Sequence, residues 1–226
     1  MSILLNSFAL VGLIGLSSTV FATTPIRSVP TDQPVVALTF DDGPHTPNTT
    51  RLLELFAAEN IKVTFFEIAE KVSKHPELAR SIVEAGHEIG NHTKTHANLA
   101  KLADLDAVRA EIVEAQSIIR AATGITPVVF RAPFLAHSPH VWTVLGELKL
   151  PSINSDVITQ DWDGAVTKEQ IIERATKAGP GDIVLMHTWP NKTVEALPEI
   201  IAALRAKGLR FVTVSELLAL APSSLK

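Results

Sequence analysis

The sequence predicts an α/β fold, a parallel sheet of about seven strands surrounded by helices. Three observations carry this. Short β-rich runs recur at 35–40, 63–66, 88–91, 128–131, 152–155, 183–187 and 210–214. Between them, apolar residues fall at three- and four-residue spacing, the period of a helix with one buried face. Asn60, Gly86, Gly124, Gly179 and Gly208 stand where those helices should stop, as left-handed caps. Strand and helix in alternation give a parallel sheet wrapped in helices.

Taken in order, residues 1–22 stand apart from that pattern. Ile3 to Leu16 is apolar apart from Asn6, Ser7 and glycines, and Val20-Phe21-Ala22 offers small residues where a signal peptidase cuts. The run is short for a membrane span of about 20 residues, and no stable membrane partner is expected. A cleaved signal peptide and a secreted, periplasmic or cell-envelope location are the expectation, although the n-region lacks Lys and Arg. Residues 23–33, with Pro25 and Pro30, read as a linker, and 34–226 as one domain. Leu52, Leu55 and Phe56 share one helical face. Val108, Ile112, Ala115 and Ile119 share another, and Leu197, Ile200, Ile201 and Leu204 a third. Seven units fit an open doubly wound sheet or a barrel-like closure. No Gly-rich phosphate loop follows the first strand, which disfavours a dinucleotide fold.

Composition narrows the chemistry. A net charge of -4 with no basic patch argues against a nucleic-acid partner. The chain has no cysteine, which excludes disulfides, thiolate metal sites and a catalytic thiol. Any metal must be held by His, Asp or Glu.

The reactive residue types gather at strand C-termini, where barrels place their active sites. The first run ends in Asp41-Asp42-Gly43-Pro44. Adjacent strand residues point to opposite faces, but a Gly-Pro turn can bend both carboxylates into one pocket; an acidic turn is the plainer reading. The third run leads into His92-Thr93-Lys94-Thr95-His96. Histidines at i and i+4 share one side of a helical turn, and with Asp42 they make a two-His, one-carboxylate set with open positions. The alternative is a pair of surface histidines. Arg131, after the fourth run, is either a surface cation or a fork onto a site carboxylate. Asp161 precedes the flat apolar surface of Trp162, and Leu185-Met186-His187 closes the sixth run. Of the remaining histidines, His75 and His87 read as structural or surface residues. His45 borders the Asp pair, and His137 and His140 lie in the loop after Arg131; each could touch substrate, and none is assigned a role.

With these residues in view, the chain resembles the polysaccharide deacetylase family, carbohydrate esterase family four, built on the NodB-homology domain. Five motifs carry the resemblance: TFDDGP at 39–44, HTKTH at 92–96, RAPF at 131–134, DW at 161–162 and LMH at 185–187. The resemblance implies a distorted (β/α) barrel. It implies Asp41 as general base, Arg131 as its tether, His187 as general acid and Asp161 as the carboxylate orienting that acid. Asp42, His92 and His96 resemble the metal ligands. Trp162 and Leu185 match the walls around the acetyl methyl group, and the Phe134 loop would offer a backbone N–H to the oxyanion. Zn2+ is the expected ion; such a ligand set also accepts Co2+ or Ni2+.

The expected reaction is removal of N-acetyl groups from N-acetylglucosamine-containing glycans: peptidoglycan, chitin or chito-oligosaccharide. The alternatives are an O-acetyl esterase acting on acetylxylan, a non-catalytic carbohydrate-binding homologue and a metal-independent amidohydrolase. Several positions depart from the family pattern: Ile158 replaces a frequent aspartate, Phe134 a tyrosine, Leu135 a glycine, Thr188 an aspartate and Lys94 an aromatic.

Overall fold

The fold is described from a computed structural model over residues 23–222; the segment read as a signal peptide lies outside these residues. Its six strands are β1 Val35–Gly43, β2 Thr64–Glu67, β3 Glu88–Asn91, β4 Val157–Ile158, β5 Ile183–His187 and β6 Arg210–Phe211. The helices are α1 Asn48–Ala58, α2 Ala69–Lys74, α3 Pro76–Glu84, α4 Leu105–Thr123, α5 Pro139–Leu148, α6 Lys168–Ala175, α7 Asn191–Ala206 and α8 Val214–Ala219. The sheet order is β3-β2-β1-β5-β4, with β6 also pairing to β1, and every pair is parallel.

β1 is the central strand because it is apolar on both faces, as a doubly covered parallel strand must be. Val36, Leu38 and Phe40 face α1, α6 and α7 in the largest core cluster, with Leu52, Phe56, Leu197 and Ile201. Val35 and Ala37 face inward, toward Phe66, Val129, Ile153 and Ile183. Period-two alternation then puts Thr39 and Asp41 on this inner face, and it is what aims Asp41 into the barrel.

The count of six strands corrects the expected seven. The runs at 128–131 and 152–155 are not strands but isolated parallel bridges, Asn91 to Phe130 and Phe130 to Ser152. Pro127, Pro133 and Pro151 bound these runs and lack the N–H that a longer ladder would need. The backbone still closes from Asn91 through Phe130 and Ile153 to Ile26 by paired bonds of 2.6–3.0 Å. This continuity by bridges is what distorts the barrel. β4 spans two residues, too few to show a period in sequence. Within the segment read as a linker, Ile26 forms a bridge with Ile153, and Val29 is buried.

Helix ends follow the sequence except at one site. Asn60, Gly86, Gly124 and Gly208 have positive φ, but Gly179 does not; the left-handed residue there is Gly181. A Cβ at Gly181 would lie 2.0 Å from the Val29 carbonyl oxygen, so close backbone approach demands glycine at that position.

Candidate active site

The C-terminal ends of β1, β3 and β5 open on a cavity of about 440 Å³. Asp41, Asp42, His92, His96, Phe134, Trp162, Leu185 and His187 all line it. The other two predicted site residues, Arg131 and Asp161, lie fully buried behind it. Ile158 and Leu135, two departures from the family pattern, also form its wall.

Asp41 and Asp42 enter one pocket through a bend at Asp42 itself, rather than at the Gly-Pro turn expected from sequence. Asp42 has φ +68°, and the β1–β2 register slips between Asp41 and Gly43. The extra residue of such a bulge re-aims its side chain. Asp41 keeps the inward direction of the strand. Arg131 donates through Nη1 to both Asp41 Oδ1 and Thr39 Oγ1, each at 2.7 Å. Its Nε and Nη2 donate to the Ile153 and Asn154 carbonyls, and Phe66 lies under the guanidinium at 4.2 Å. A buried cation is tolerable only when paired and hydrogen-bonded in this way.

The His92/His96 pair is not on a helical turn. It lies on a loop in which Thr93 and His96 both have φ +66°. Side chains hold that loop: Asn91 Oδ1 accepts from the Thr93 N–H, Thr93 Oγ1 from the His96 N–H and Glu111 from Thr95. The rings meet at 5.0 Å between centroids. His92 Nδ1 lies 2.7 Å from the Arg131 carbonyl, which can only accept, so Nδ1 carries the hydrogen and Nε2 faces Asp42 with a free lone pair. His92 Nε2 and His96 Nε2 are 3.4 and 3.1 Å from Asp42 Oδ1. That oxygen is buried without a hydrogen-bond partner, and the three donor atoms lie within 4.8 Å of one another. Burial opposes ionisation of Asp42, but the facing imidazoles of His92 and His96, with His187 beyond them, outweigh it. They hold this carboxyl far below the ordinary range. The donor set fits a divalent ion of the zinc class.

On the facing side, His187 Nδ1 bonds Asp161 Oδ1 at 2.8 Å. The other Asp161 oxygen accepts from the His187 N–H at 2.8 Å and from Thr193 Oγ1 at 2.6 Å. Burial disfavours the His187 imidazolium, yet Asp161, followed by Asp41 and Asp42, overrides it, and the pKa rises above 6.5. Trp162 meets the imidazole edge-on at 5.2 Å.

The Phe134 turn is strained in the left-handed region at both Phe134 and Leu135. The N–H groups of Leu135 and Ala136 close it onto Ala132 and Pro133, and that of Phe134 is not used. Phe134 is 65% exposed, with its ring 4.9 Å from that of His96, at the mouth of the cavity.

Among the other histidines, His87 accepts from the Val63 N–H, and burial lowers its pKa to about 4, marking a neutral structural residue. His137 stacks on Trp142 and bonds Ser152. Lys94 turns outward to Glu114.

Sequence reading missed Thr193 and Glu67. Thr193 sits in the first turn of α7, where a hydroxyl near Asn191 was the available signal. Glu67 ends β2 fully buried, both carboxylate oxygens unpartnered. Burial raises its pKa well above 4.5; Lys71 opposes the shift, and Asp42 and Asp41 add to it. The folded chain therefore keeps this proton where the unfolded chain has lost it. Its contribution to stability falls as pH rises from about 4.5 through the folded pKa. Glu67→Gln should flatten that loss. Urea unfolding of the metal-free protein at pH 5 and pH 8 measures it, and an unchanged pH dependence would refute the assignment.

Three candidate metal donors between a carboxylate–arginine pair and a carboxylate–imidazole pair, together in one cavity, fit the class of hydrolases. The sequence model of polysaccharide deacetylases matches residues 28–153. The chain is 35% identical over 194 residues to a peptidoglycan-N-acetylglucosamine deacetylase of Bacillus cereus, covering 83% of this chain and 69% of that protein. It is 35% identical to the deacetylase PgdA of Listeria monocytogenes, covering 80% of this chain but only 38% of PgdA. The solved Bc1960 peptidoglycan N-acetylglucosamine deacetylase, in complex with 4-naphthalen-1-yl-N-oxidanyl-benzamide, superposes with a TM-score of 0.81 at 33% identity. That match covers 85% of this chain and 91% of the solved one. The chain belongs to the polysaccharide deacetylase family, carbohydrate esterase family four, with its NodB-homology fold.

Proposed function

We propose that this deacetylase is a metal-dependent hydrolase that removes N-acetyl groups from N-acetylglucosamine-containing glycans outside the cytoplasm. One observation carries the metal reading: Asp42 Oδ1, buried and unpaired, faces two imidazole nitrogens with nothing else to bind. The N-oxidanyl amide on the solved relative is a hydroxamic acid, a metal-chelating class, and supports the same reading. Zn2+ is the ion of choice, with Co2+ and Ni2+ compatible with the donors.

Asp42, His92 and His96 would hold a divalent ion, which would supply Lewis-acid chemistry at the acetyl carbonyl and toward water. The chain supplies the rest. Asp41, fixed by Arg131, takes the proton of the attacking water. The unused Phe134 N–H is the donor to the oxyanion in this reading, and one such donor is worth about 3–4 kcal/mol. His187 gives a proton from Nε2 to the departing sugar amine, and Asp161 holds its ring by Nδ1. Trp162, Leu185 and Ile158 form an apolar wall for the methyl group.

The acid role sets a pH dependence. His187 must be protonated, so activity falls as pH rises through its raised pKa. Asp161→Asn removes the group that raises it, and the basic limb of the kcat profile should move to lower pH. A limb left in place would exclude His187 as the acid.

The function itself is tested by acetate release from peptidoglycan, chitin, chito-oligosaccharides and acetylated xylan, before and after chelation and with Zn2+ restored. The expected result is release from the N-acetylated glycans, lost on chelation and regained with metal. Release from acetylated xylan alone would make the chain an O-acetyl esterase, and activity surviving exhaustive chelation would remove the metal from the reaction. Activity in the culture supernatant or envelope fraction, with residues 1–22 removed, tests the location.

A further inference from the structure

Thr188 and Trp189 directly follow His187, and their contacts run back to the Asp41-Asp42 bend. The Thr188 N–H and Oγ1 both donate to the Asp41 carbonyl, each at 3.0 Å. Trp189 Nε1 donates to Asp42 Oδ2 at 3.3 Å, the long end of the hydrogen-bond range. The Trp189 carbonyl is itself pinned by Nδ2 of the buried Asn48 at 2.9 Å. Lys71 Nζ holds the Asp42 carbonyl at 2.7 Å. Asp42 is thus braced on its backbone by Lys71 and on one carboxylate oxygen by an indole.

The two oxygens of Asp42 are in different positions as a result. Oδ2 has the indole N–H, with His187 Nε2 4.0 Å away. Oδ1 has no hydrogen-bond partner and faces the two histidine nitrogens. A carboxylate's terminal torsion is broad and soft, so something must choose which oxygen is offered. We infer that Trp189 is a positioning residue for the metal site: its indole N–H occupies Oδ2 and presents Oδ1 as a single-oxygen ligand. This rests on the metal-dependent reading above. Outer contacts of this kind typically change metal affinity about 10–100-fold.

The test is Zn2+ affinity, measured by competition with a chromogenic chelator, for the parent and two variants. Trp189→Phe keeps a ring and loses the donor. Placing β-(3-benzothienyl)alanine at position 189 keeps the indole shape and exchanges only the N–H for sulfur, so a folding defect cannot imitate the effect. Both should weaken Zn2+ binding by about tenfold or more. Both should also shift the visible absorption of the Co2+-substituted protein, while the melting of the metal-free protein stays at the parent value. If the parent binds Zn2+ and the benzothienyl variant binds it equally, with the same cobalt spectrum, the positioning role is refuted and the metal site stands. If the parent binds no Zn2+, the metal reading falls and takes this inference with it.

Discussion

Asp41→Asn is expected to abolish turnover and leave the metal bound. The asparagine carbonyl can still accept the 2.7 Å bond from Arg131 Nη1, so the side chain stays in place and the guanidinium is not stripped of every partner. What disappears is the capacity to take a proton. Loss of a positioned general base typically costs about 10²–10⁴ in rate. Asp41 is also not among the donors that converge on the metal position; those are Asp42, His92 and His96. Acetate release and metal content, measured on the same preparation, check both halves. A variant with near-normal turnover would remove Asp41 from the base role. Loss of metal along with activity would mean that the two aspartates are not separable.

That separability was only partly legible in the sequence. Asp41 follows the alternation of β1: if Val35 and Ala37 face the barrel interior, Asp41 must as well. Its partner Arg131 lies 90 residues away, and no local pattern links them; only the ordered motifs did. Asp42 obeys no such rule, because its left-handed φ breaks the strand register. A non-glycine residue in that conformation is held by contacts from elsewhere, here Lys71, which a local reading cannot supply. The His92 and His96 spacing suggested a helix, but side-chain bonds from Asn91, Thr93 and Glu111 make a loop of it instead. Spacing found the pair that faces Asp42 and gave the wrong backbone.

The same limit applies to strands. β1 and β5 announce themselves as apolar runs because helices cover both faces. Phe130 and Ser152 occupy strand positions through single bridges, so their apolar neighbours resemble strands that the prolines do not let form. Trp189, Thr193 and Glu67 were invisible for another reason. Trp189 and Thr193 each act through a side-chain hydrogen bond to a residue distant in sequence. Glu67 is set apart only by burial without a partner, and none of the three types is unusual in isolation.

His92→Ala is expected to eliminate metal binding, the converse of Asp41→Asn. His92 is the buried member of the pair and the better fixed. Its Nδ1–H donates to the Arg131 carbonyl, which locks the tautomer and aims Nε2 at Asp42. Alanine removes one of three donors and leaves that carbonyl without the imidazole N–H. The loss should exceed the roughly 10–100-fold typical of outer-shell changes, since a ligand itself is gone. Added imidazole provides a check against simple misfolding: it can enter the vacated space from the cavity and should restore part of the Zn2+ affinity. An alanine variant that binds Zn2+ as the parent does would place the metal elsewhere and leave Asp42 as an acidic bend. With both variants in hand, the two neighbouring carboxylates become distinguishable. Asp41→Asn would retain the metal without turnover, and His92→Ala would lack the metal while Asp41 and Arg131 remain paired.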